Sequence, residues 1–262
     1  MNSRLQNKWV LITGASSGFG AAAAQAFGAA GANLLLGARR TENLKAVAAA
    51  ALKAGATQAE HHFLDVSQTA SVKEFITWAR TKTECVDVLL NNAGGALGLD
   101  TVAEGKDEDW ETMRQTNVLG VLRMTRATLP LIPRDAGGSI INLGSAAGHV
   151  AYEGGAAYCA AKAGALQITR TLRLELNGTG IRVSTVDPGL SKTDFSLVRF
   201  KDDTKRAEMI YEGTNPLVAE DVAEILVWVA SRPAHVNIDE LIVKPVDQAA
   251  MHKIHRRKTD AP

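Results

Sequence analysis

Short strand-like runs, several with continuous apolar centres such as Trp9-Val10-Leu11-Ile12, Leu34-Leu35-Leu36 and Val88-Leu89-Leu90, alternate along the chain with helical stretches. They stand near residues 8–13, 33–38, 59–64, 86–91, 139–144, 180–186 and 240–244. Continuous hydrophobicity marks strands buried on both faces, and strands that alternate with helices imply a parallel sheet. The pattern predicts an α/β fold, a single-domain Rossmann-type doubly wound parallel sheet flanked by helices, over 1–262. Residues 9–38 carry no charge, which resembles a membrane span, but six glycines and interspersed Ser, Thr, Gln and Asn break the stretch. Buried parallel strands have the same appearance.

The first run, Trp9-Val10-Leu11-Ile12-Thr13, feeds into Gly14-Ala15-Ser16-Ser17-Gly18-Phe19-Gly20 and then an Ala-rich helical segment at 21–30. Glycines there permit a tight turn and close backbone approach to a pyrophosphate, whose charge meets amide groups and the positive end of the helix dipole. The spacing Gly-x-x-x-Gly-x-Gly differs from the Gly-x-Gly-x-x-Gly dinucleotide fingerprint, and a purely structural turn needs only one glycine. Three favour a nucleotide. After the second run stand Arg39 and Arg40, where an acidic residue would hydrogen-bond a ribose 2′-hydroxyl and a guanidinium would instead pair with a 2′-phosphate. NADP is therefore expected over NAD, with Arg40 equally suited to a solvated loop. Asp65 fits two roles, capping the next helix at Val66-Ser67 or hydrogen-bonding the adenine.

Tyr158 and Lys162 lie four residues apart in an Ala-rich segment, which stacks them on one helix face. A phenol with a reference pKa of about 10 is lowered by a neighbouring cation. Ser145 closes the run Ser139-Ile140-Ile141-Asn142-Leu143-Gly144 and could bring a hydroxyl to the same phenol. Ser, Tyr and Lys in this order point to carbonyl/alcohol redox chemistry.

A chain of 262 residues with 46% hydrophobic and 22% charged residues can bury one sizeable core. Its net charge of +1 gives no global attraction to nucleic acid or membrane, so neither is expected as a partner. Cys85 and Cys159 lack a motif spacing, the segment 1–8 is polar, and a cytoplasmic protein is expected. His61 and His62 alternate on a strand and His252 and His255 stand in a polar tail, so no metal is expected.

Taken together, the motifs resemble those of the short-chain dehydrogenase/reductase superfamily over nearly the whole length. They are Thr13-Gly14-x-x-x-Gly18-x-Gly20, Asn91-Asn92-Ala93-Gly94, Asn117, Ser145, Tyr158 with Lys162, and Pro188-Gly189. The resemblance implies Tyr158 as proton donor or acceptor, and Lys162 as the group that lowers its pKa and binds the nicotinamide ribose. It further implies Ser145 as holder of the substrate oxygen and Asn117 as keeper of a water leading from Lys162 to solvent. Gly14, Ser16, Ser17, Gly18, Phe19, Gly20, Arg39, Arg40, Asp65, Val66, Asn92, Ala93, Gly94, Tyr158, Lys162, Pro188 and Gly189 are the expected cofactor contacts.

The connection 189–219 is longer than ordinary loops and is expected to be a substrate lid. Among its cations Arg199, beside Leu197, Val198 and Phe200, could hold a substrate carboxylate or could equally be a surface charge; Lys192 is the next candidate. A narrower resemblance is to bacterial NADP-dependent 3-hydroxy acid dehydrogenases of the serine and allo-threonine type. It rests on Asp109-Trp110-Glu111-Thr112-Met113, Met124-Thr125-Arg126-Ala127, Phe195-Ser196-Leu197-Val198-Arg199-Phe200-Lys201 and Pro233-Ala234-His235-Val236-Asn237-Ile238-Asp239. That resemblance implies oxidation of a 3-hydroxyl, or reduction of the matching semialdehyde or keto acid, by a homotetramer. A broad NADPH-dependent ketone or aldehyde reductase and a non-catalytic NADP-sensing protein are the rival readings; retention of Asn117, Ser145, Tyr158 and Lys162 argues against the second. The tail 247–262 is basic at 252–258, where it contacts another subunit or is solvated, and His149 and the Tyr152-Glu153-Gly154-Gly155 stretch have no assigned role.

Overall fold

The computed structural model describes residues 2–134 and 137–257. Seven strands, β1 (Trp9–Thr13), β2 (Asn33–Ala38), β3 (Ala59–Phe63), β4 (Val88–Asn91), β5 (Ser139–Leu143), β6 (Arg182–Pro188) and β7 (Glu240–Val243), form one sheet in the order β3-β2-β1-β4-β5-β6-β7. Every neighbouring pair is parallel. The order reverses between β1 and β4, the switch point at which such sheets open a crevice beyond their carboxyl ends.

The helices are α1 (Gly18–Ala29), α2 (Thr41–Ala54), α3 (Thr69–Arg80), α4 (Asp107–Arg114), α5 (Gly120–Thr128), α6 (Ala156–Glu175), α7 (Phe195–Arg199), α8 (Thr204–Met209) and α9 (Ala219–Ala230). Alternation along each strand divides the core between the two faces. Val10, Ile12, Leu34 and Leu36 pack with Phe27 of α1 and Leu226 of α9, whereas Leu11 and Leu35 pack with Phe75 of α3, Met124 of α5 and Leu172 of α6. All six strand residues of β2 are buried, and the apolar stretch at 9–38 is two strands of the sheet joined by the glycine turn and α1. No described helix is long and apolar enough to cross a membrane.

The tail departs from the sequence-based expectation. The chain past 247 forms a hairpin, β8 (Gln248–Ala250) against β9 (Lys253–Ile254), and folds back on its own chain. Arg257 pairs with the buried Asp247 at 2.8 Å, its backbone N–H donates to Gly213 O, and Arg256 donates to Ile210 O and Glu212 O. The basic tail thus ties down the segment at 210–215 and is not simply solvated; Lys258 lies outside the described residues. The connection 189–219 carries the short helices α7 and α8.

β6 begins two residues later than its apolar run suggested, with the buried Arg182. Its guanidinium donates to Val229 O at 3.1 Å and Ala230 O at 2.7 Å, satisfying carbonyls at the end of α9 that have no partner within the helix. Arg182→Met should keep the apolar stem and lose both charged bonds, at a cost of roughly 1.5–3 kcal/mol. Urea unfolding checks this; an unchanged midpoint would show that the end of α9 needs no such support.

Candidate active site

The turn after β1 is built around Thr13. Its hydroxyl accepts from Asn92 N at 3.0 Å and Ala93 N at 2.9 Å, and the Asn92 side-chain amide donates to Thr13 O at 2.8 Å and Gly14 O at 3.1 Å. The exits of β1 and β4 are stitched together across the switch point. Gly14 and Gly18 have φ of +66° and +52°, a region open mainly to glycine. A Cβ at Gly20 would lie 2.4 Å from Gly14 O, so the backbone closes on itself there. Amides in the first turn of α1 have no acceptor within the helix and carry the positive end of its dipole, which suits the turn to a pyrophosphate.

Arg40 reaches this turn, its Nε donating to Ser16 Oγ at 3.3 Å and its Nη2 to Ser17 Oγ. It is thus an organised part of the rim and not a free loop cation. Arg39 is exposed beside it with no side-chain hydrogen bond among the described residues. Asp65 uses Oδ1 to accept from both the backbone and the hydroxyl of Ser67 in the turn before α3, whose N-cap is Gln68, so it does not cap that helix; buried Val66 packs beneath Gly120.

Asn117 lies in a π-helical turn, Gln115–Leu119, between α4 and α5. The extra residue in such a turn swings a side chain off the helical ladder. Its amide donates to Gly95 O and Met113 O, both at 2.9 Å, and its carbonyl accepts from Gly95 N. A Cβ at Gly94 would meet Asn117 Oδ1 at 2.6 Å and Lys162 Nζ at 3.5 Å, so Asn92-Ala93-Gly94, Asn117 and Lys162 converge. On α6, Tyr158 and Lys162 are one turn apart and buried, as their spacing requires. Ser145, at the exit of β5, accepts from Ala147 N, and its hydroxyl lowers the Tyr158 phenol against the effect of burial.

The electrostatics differ from the simple expectation of a cation lowering a phenol. Burial pushes the Tyr158 phenol above its ordinary range, with the Ser145 hydrogen bond as the first opposing influence. Burial also pulls Lys162 down to about 8, opposed by the Asp187 carboxylate. The physical reason is placement. Lys162 Nζ donates to Leu143 O at 2.9 Å and stands 5.9 Å from the centre of the phenol ring, over its face and not at its hydroxyl.

The connection 189–219 brings Arg199 to the same place. Its Nε donates to Gly98 O at 2.9 Å, its Nη2 to Tyr152 OH at 2.7 Å, and its guanidinium carbon lies 5.6 Å from the centre of the Tyr158 ring. Phe195 of α7 tilts over the same ring at 5.6 Å. A small cavity lies here, lined by Leu97, Trp110, Met113, Ala157, Tyr158 and Arg199 among others. Lys192 is elsewhere, over the ring of Tyr211, which joins Ser196 and Ser191 within that connection. Pro188 ends β6, and Gly189 N donates to Val243 O, which orders the root of the connection. Among the described residues no three His, Cys, Asp or Glu side chains gather as a metal site.

The short chain dehydrogenase family model matches residues 8–204. The chain belongs to the short-chain dehydrogenase family. Within it, an NADP-dependent 3-hydroxy acid dehydrogenase of Salmonella typhi is 43% identical over 249 residues, covering 94% of this chain and 99% of that protein. Sulfoacetaldehyde reductase 2 of Chromohalobacter salexigens is 44% identical over 241 residues, covering 92% and 95%. Among solved structures, the closed form of a serine dehydrogenase complexed with NADP+ superposes with a TM-score of 0.88 at 40% identity, over 95% of this chain and 100% of that one. As a short-chain dehydrogenase the protein is an oxidoreductase.

Sequence reasoning found the glycine turn, Asn117, Ser145, Tyr158, Lys162 and Arg199, which the fold gathers at the carboxyl edge of the sheet. It missed Gly98, Asp187 and the contact of Tyr152 with Arg199. Tyr152 carried one readable signal, an aromatic in the polar Tyr152-Glu153-Gly154-Gly155 stretch between Ser145 and Tyr158. Gly20→Ala tests the cradle. The Cβ forces Gly14 O and Asn92 apart, and binding of an adenine dinucleotide should weaken by at least about tenfold, the equivalent of one charge-assisted bond. Fluorescence titration with unchanged circular dichroism is the measurement, and wild-type affinity would sink the assignment.

Proposed function

We propose that the protein transfers a hydride between NADP(H) and a short 3-hydroxy acid, or the matching semialdehyde or keto acid. The observation that carries this reading is the Arg199 guanidinium beside the Tyr158 ring, held by Gly98 O and Tyr152 OH. Those bonds orient it in advance, and Nη1 makes no hydrogen bond among the described residues, so one edge is left for a carboxylate. Pre-organisation of this kind lowers the ordering cost of a charge-assisted contact.

Gly14, Ser16, Ser17, Gly18, Phe19 and Gly20 would receive the pyrophosphate, with Asn92, Ala93, Gly94, Pro188 and Gly189 around the nicotinamide half and Asp65 with Val66 beside the adenine. Arg39 and Arg40 would flank the 2′-phosphate, which fits the NADP named for both the Salmonella enzyme and the serine dehydrogenase complex. When bound, the dinucleotide supplies or accepts the hydride. Tyr158 gives its proton to the carbonyl oxygen in reduction and takes it back in oxidation. Its raised phenol keeps that proton at neutral pH and thus enters reduction as the acid. Ser145 holds the reacting oxygen, Lys162 binds the ribose, and Asn117 links Lys162 toward solvent. The apolar walls Leu97, Trp110 and Met113 exclude water around the transfer. Exposed Leu122 on α5 and Leu174 on α6 support assembly as a homotetramer through those helices.

A second anion, a sulfonate, is favoured by the likeness to the sulfoacetaldehyde reductase, since Arg199 would read negative charge in either group. A general ketone reductase would not use Arg199 at all.

Tyr158→Phe keeps the ring and removes the acid. NADPH oxidation should fall by at least 10²-fold, the usual contribution of a positioned acid or base, with NADPH affinity nearly unchanged. Activity above a tenth of wild type would exclude Tyr158 as the proton donor.

Arg199→Met keeps the stem and removes the charge, and losses of roughly 10- to 150-fold in kcat/KM should be confined to anionic substrates. The measurement is a panel of carboxylate, sulfonate and neutral carbonyl compounds. Equal loss across the panel would mean that Arg199 only braces the lid.

A further inference from the structure

Asp187, near the carboxyl end of β6, has a side chain only 1% exposed. Its Oδ1 accepts from Thr185 Oγ1 at 2.7 Å, and its Oδ2 accepts from His149 Nε2 at 2.9 Å. A carboxylate buried this deeply is costly unless its partners are good. The fold makes room for it: a Cβ at Gly144 would lie 1.6 Å from Oδ1, so the missing side chain of Gly144 is the space the carboxylate occupies. Gly144 stands between Leu143, whose carbonyl accepts from Lys162 Nζ, and Ser145. Carboxylate and ammonium therefore rest against adjoining residues at the exit of β5.

His149 approaches from the other side. It ends the short 3-10 turn Ala146–Gly148, for which Ser145 is the cap. Within that turn a Cβ at Gly148 would lie 2.9 Å from the Lys162 carbonyl, so the turn packs directly on the α6 backbone at Lys162. One hydrogen bond thus ties the turn bearing Ser145 to the end of β6, with Lys162 between them.

We propose that His149 and Asp187 are positioning residues for Lys162: His149 anchors the carboxylate, and the anchored carboxylate keeps Lys162 an ammonium on Leu143 O without drawing it into a direct ion pair. The proposal rests on the reading that Lys162 serves the reaction. Asp187 is the one charge that opposes the effect of burial on Lys162. Two other charged groups sense the pair, Glu240 of β7 through His149 and Arg170 of α6 through Asp187, and they engage each other at 2.6 Å. They leave the His149–Asp187 bond intact.

Lys162 can be read directly, with or without turnover, by following its side-chain 13Cε resonance against pH in lysine-labelled full-length protein, assigned by its absence in Lys162→Arg. The wild-type midpoint is expected at about 8. Asp187→Asn removes the opposing charge and should lower that midpoint by about one pH unit. His149→Ala frees the carboxylate to turn toward the ammonium and should raise it, whereas His149→Gln retains a donor and should restore the wild-type value. A mere structural tie would lower the melting temperature and move no midpoint, and unmoved midpoints in both variants overturn the proposal. Should Asp187→Asn not fold, the direction of the His149→Ala shift decides alone. If the midpoints move as stated but the alkaline limb of kcat/KM does not follow, the pairing stands and the catalytic reading of Lys162 fails.

Discussion

Burial of one ammonium organises the carboxyl edge of this sheet. Lys162 sits in a low-dielectric environment that disfavours its charge, so its stability there depends on what surrounds it. Leu143 O takes one of its three donors and the Asp187 carboxylate supplies the balancing charge. Each partner comes from a different strand end, and neither can be supplied unless β5 and β6 run parallel and end at the same level. The register of those strands, Leu143 against Val186, delivers that condition. The fold is thus more than a platform for the site, because the alignment of strand ends is what makes a buried cation tolerable.

Two further fastenings close around that centre. The stitch of Asn92 and Ala93 to Thr13 fixes the glycine turn relative to β4, and the π-helical turn at Asn117 fixes Gly95 relative to α4 and α5. Each uses a side-chain amide as a surrogate backbone, satisfying donors and acceptors where strands and helices end. The polar chain Thr125–Asn91–Asn142–Thr169 continues the same device below the site, crossing β4 and β5 between α5 and α6. The chain is not fully satisfied, since Asn91 Oδ1 is buried without a partner among the described residues, but its linked bonds still tie the two helices to the strands beneath the site.

What could be read from the sequence was what depends on neighbours in the chain. The bounds of β2 coincide with its apolar run, the glycine turn falls between strand and helix, and Tyr158 and Lys162 share a face because four residues make about one turn. What escaped depends on contacts across long separations. His149 and Asp187 are 38 residues apart, and Arg199 meets Gly98 across 101. Neither pair leaves a local periodicity. The hairpin at the tail escaped for a different reason: its strands are two and three residues long, too short to show a period, and the pairing of Arg257 with Asp247 helps hold it in place. The electrostatic expectation for Tyr158 erred in the same way. Spacing places Lys162 on the right face, but the ammonium is bonded to the Leu143 carbonyl and stands 5.9 Å from the ring centre.

The lid draws on the same economy of shared partners. Arg199 binds Gly98 O, which belongs to the segment after β4, and Tyr152 OH, which belongs to the segment after β5. Gly98 N in turn donates back to Arg199 O at 2.9 Å. A residue of the lid is therefore locked to two strand exits at once, while the tail holds the far end of the lid through Gly213 and Asn215. Opening the lid must break the Arg199 bonds together, since one guanidinium carries both. An anionic group arriving at the open edge of that guanidinium would strengthen the closed arrangement only, because the open one no longer aims the charge at Tyr158. On the proposed carboxylate reading, charge on the substrate and closure over the phenol would be the same event, and a neutral ketone would gain little from the segment 189–219.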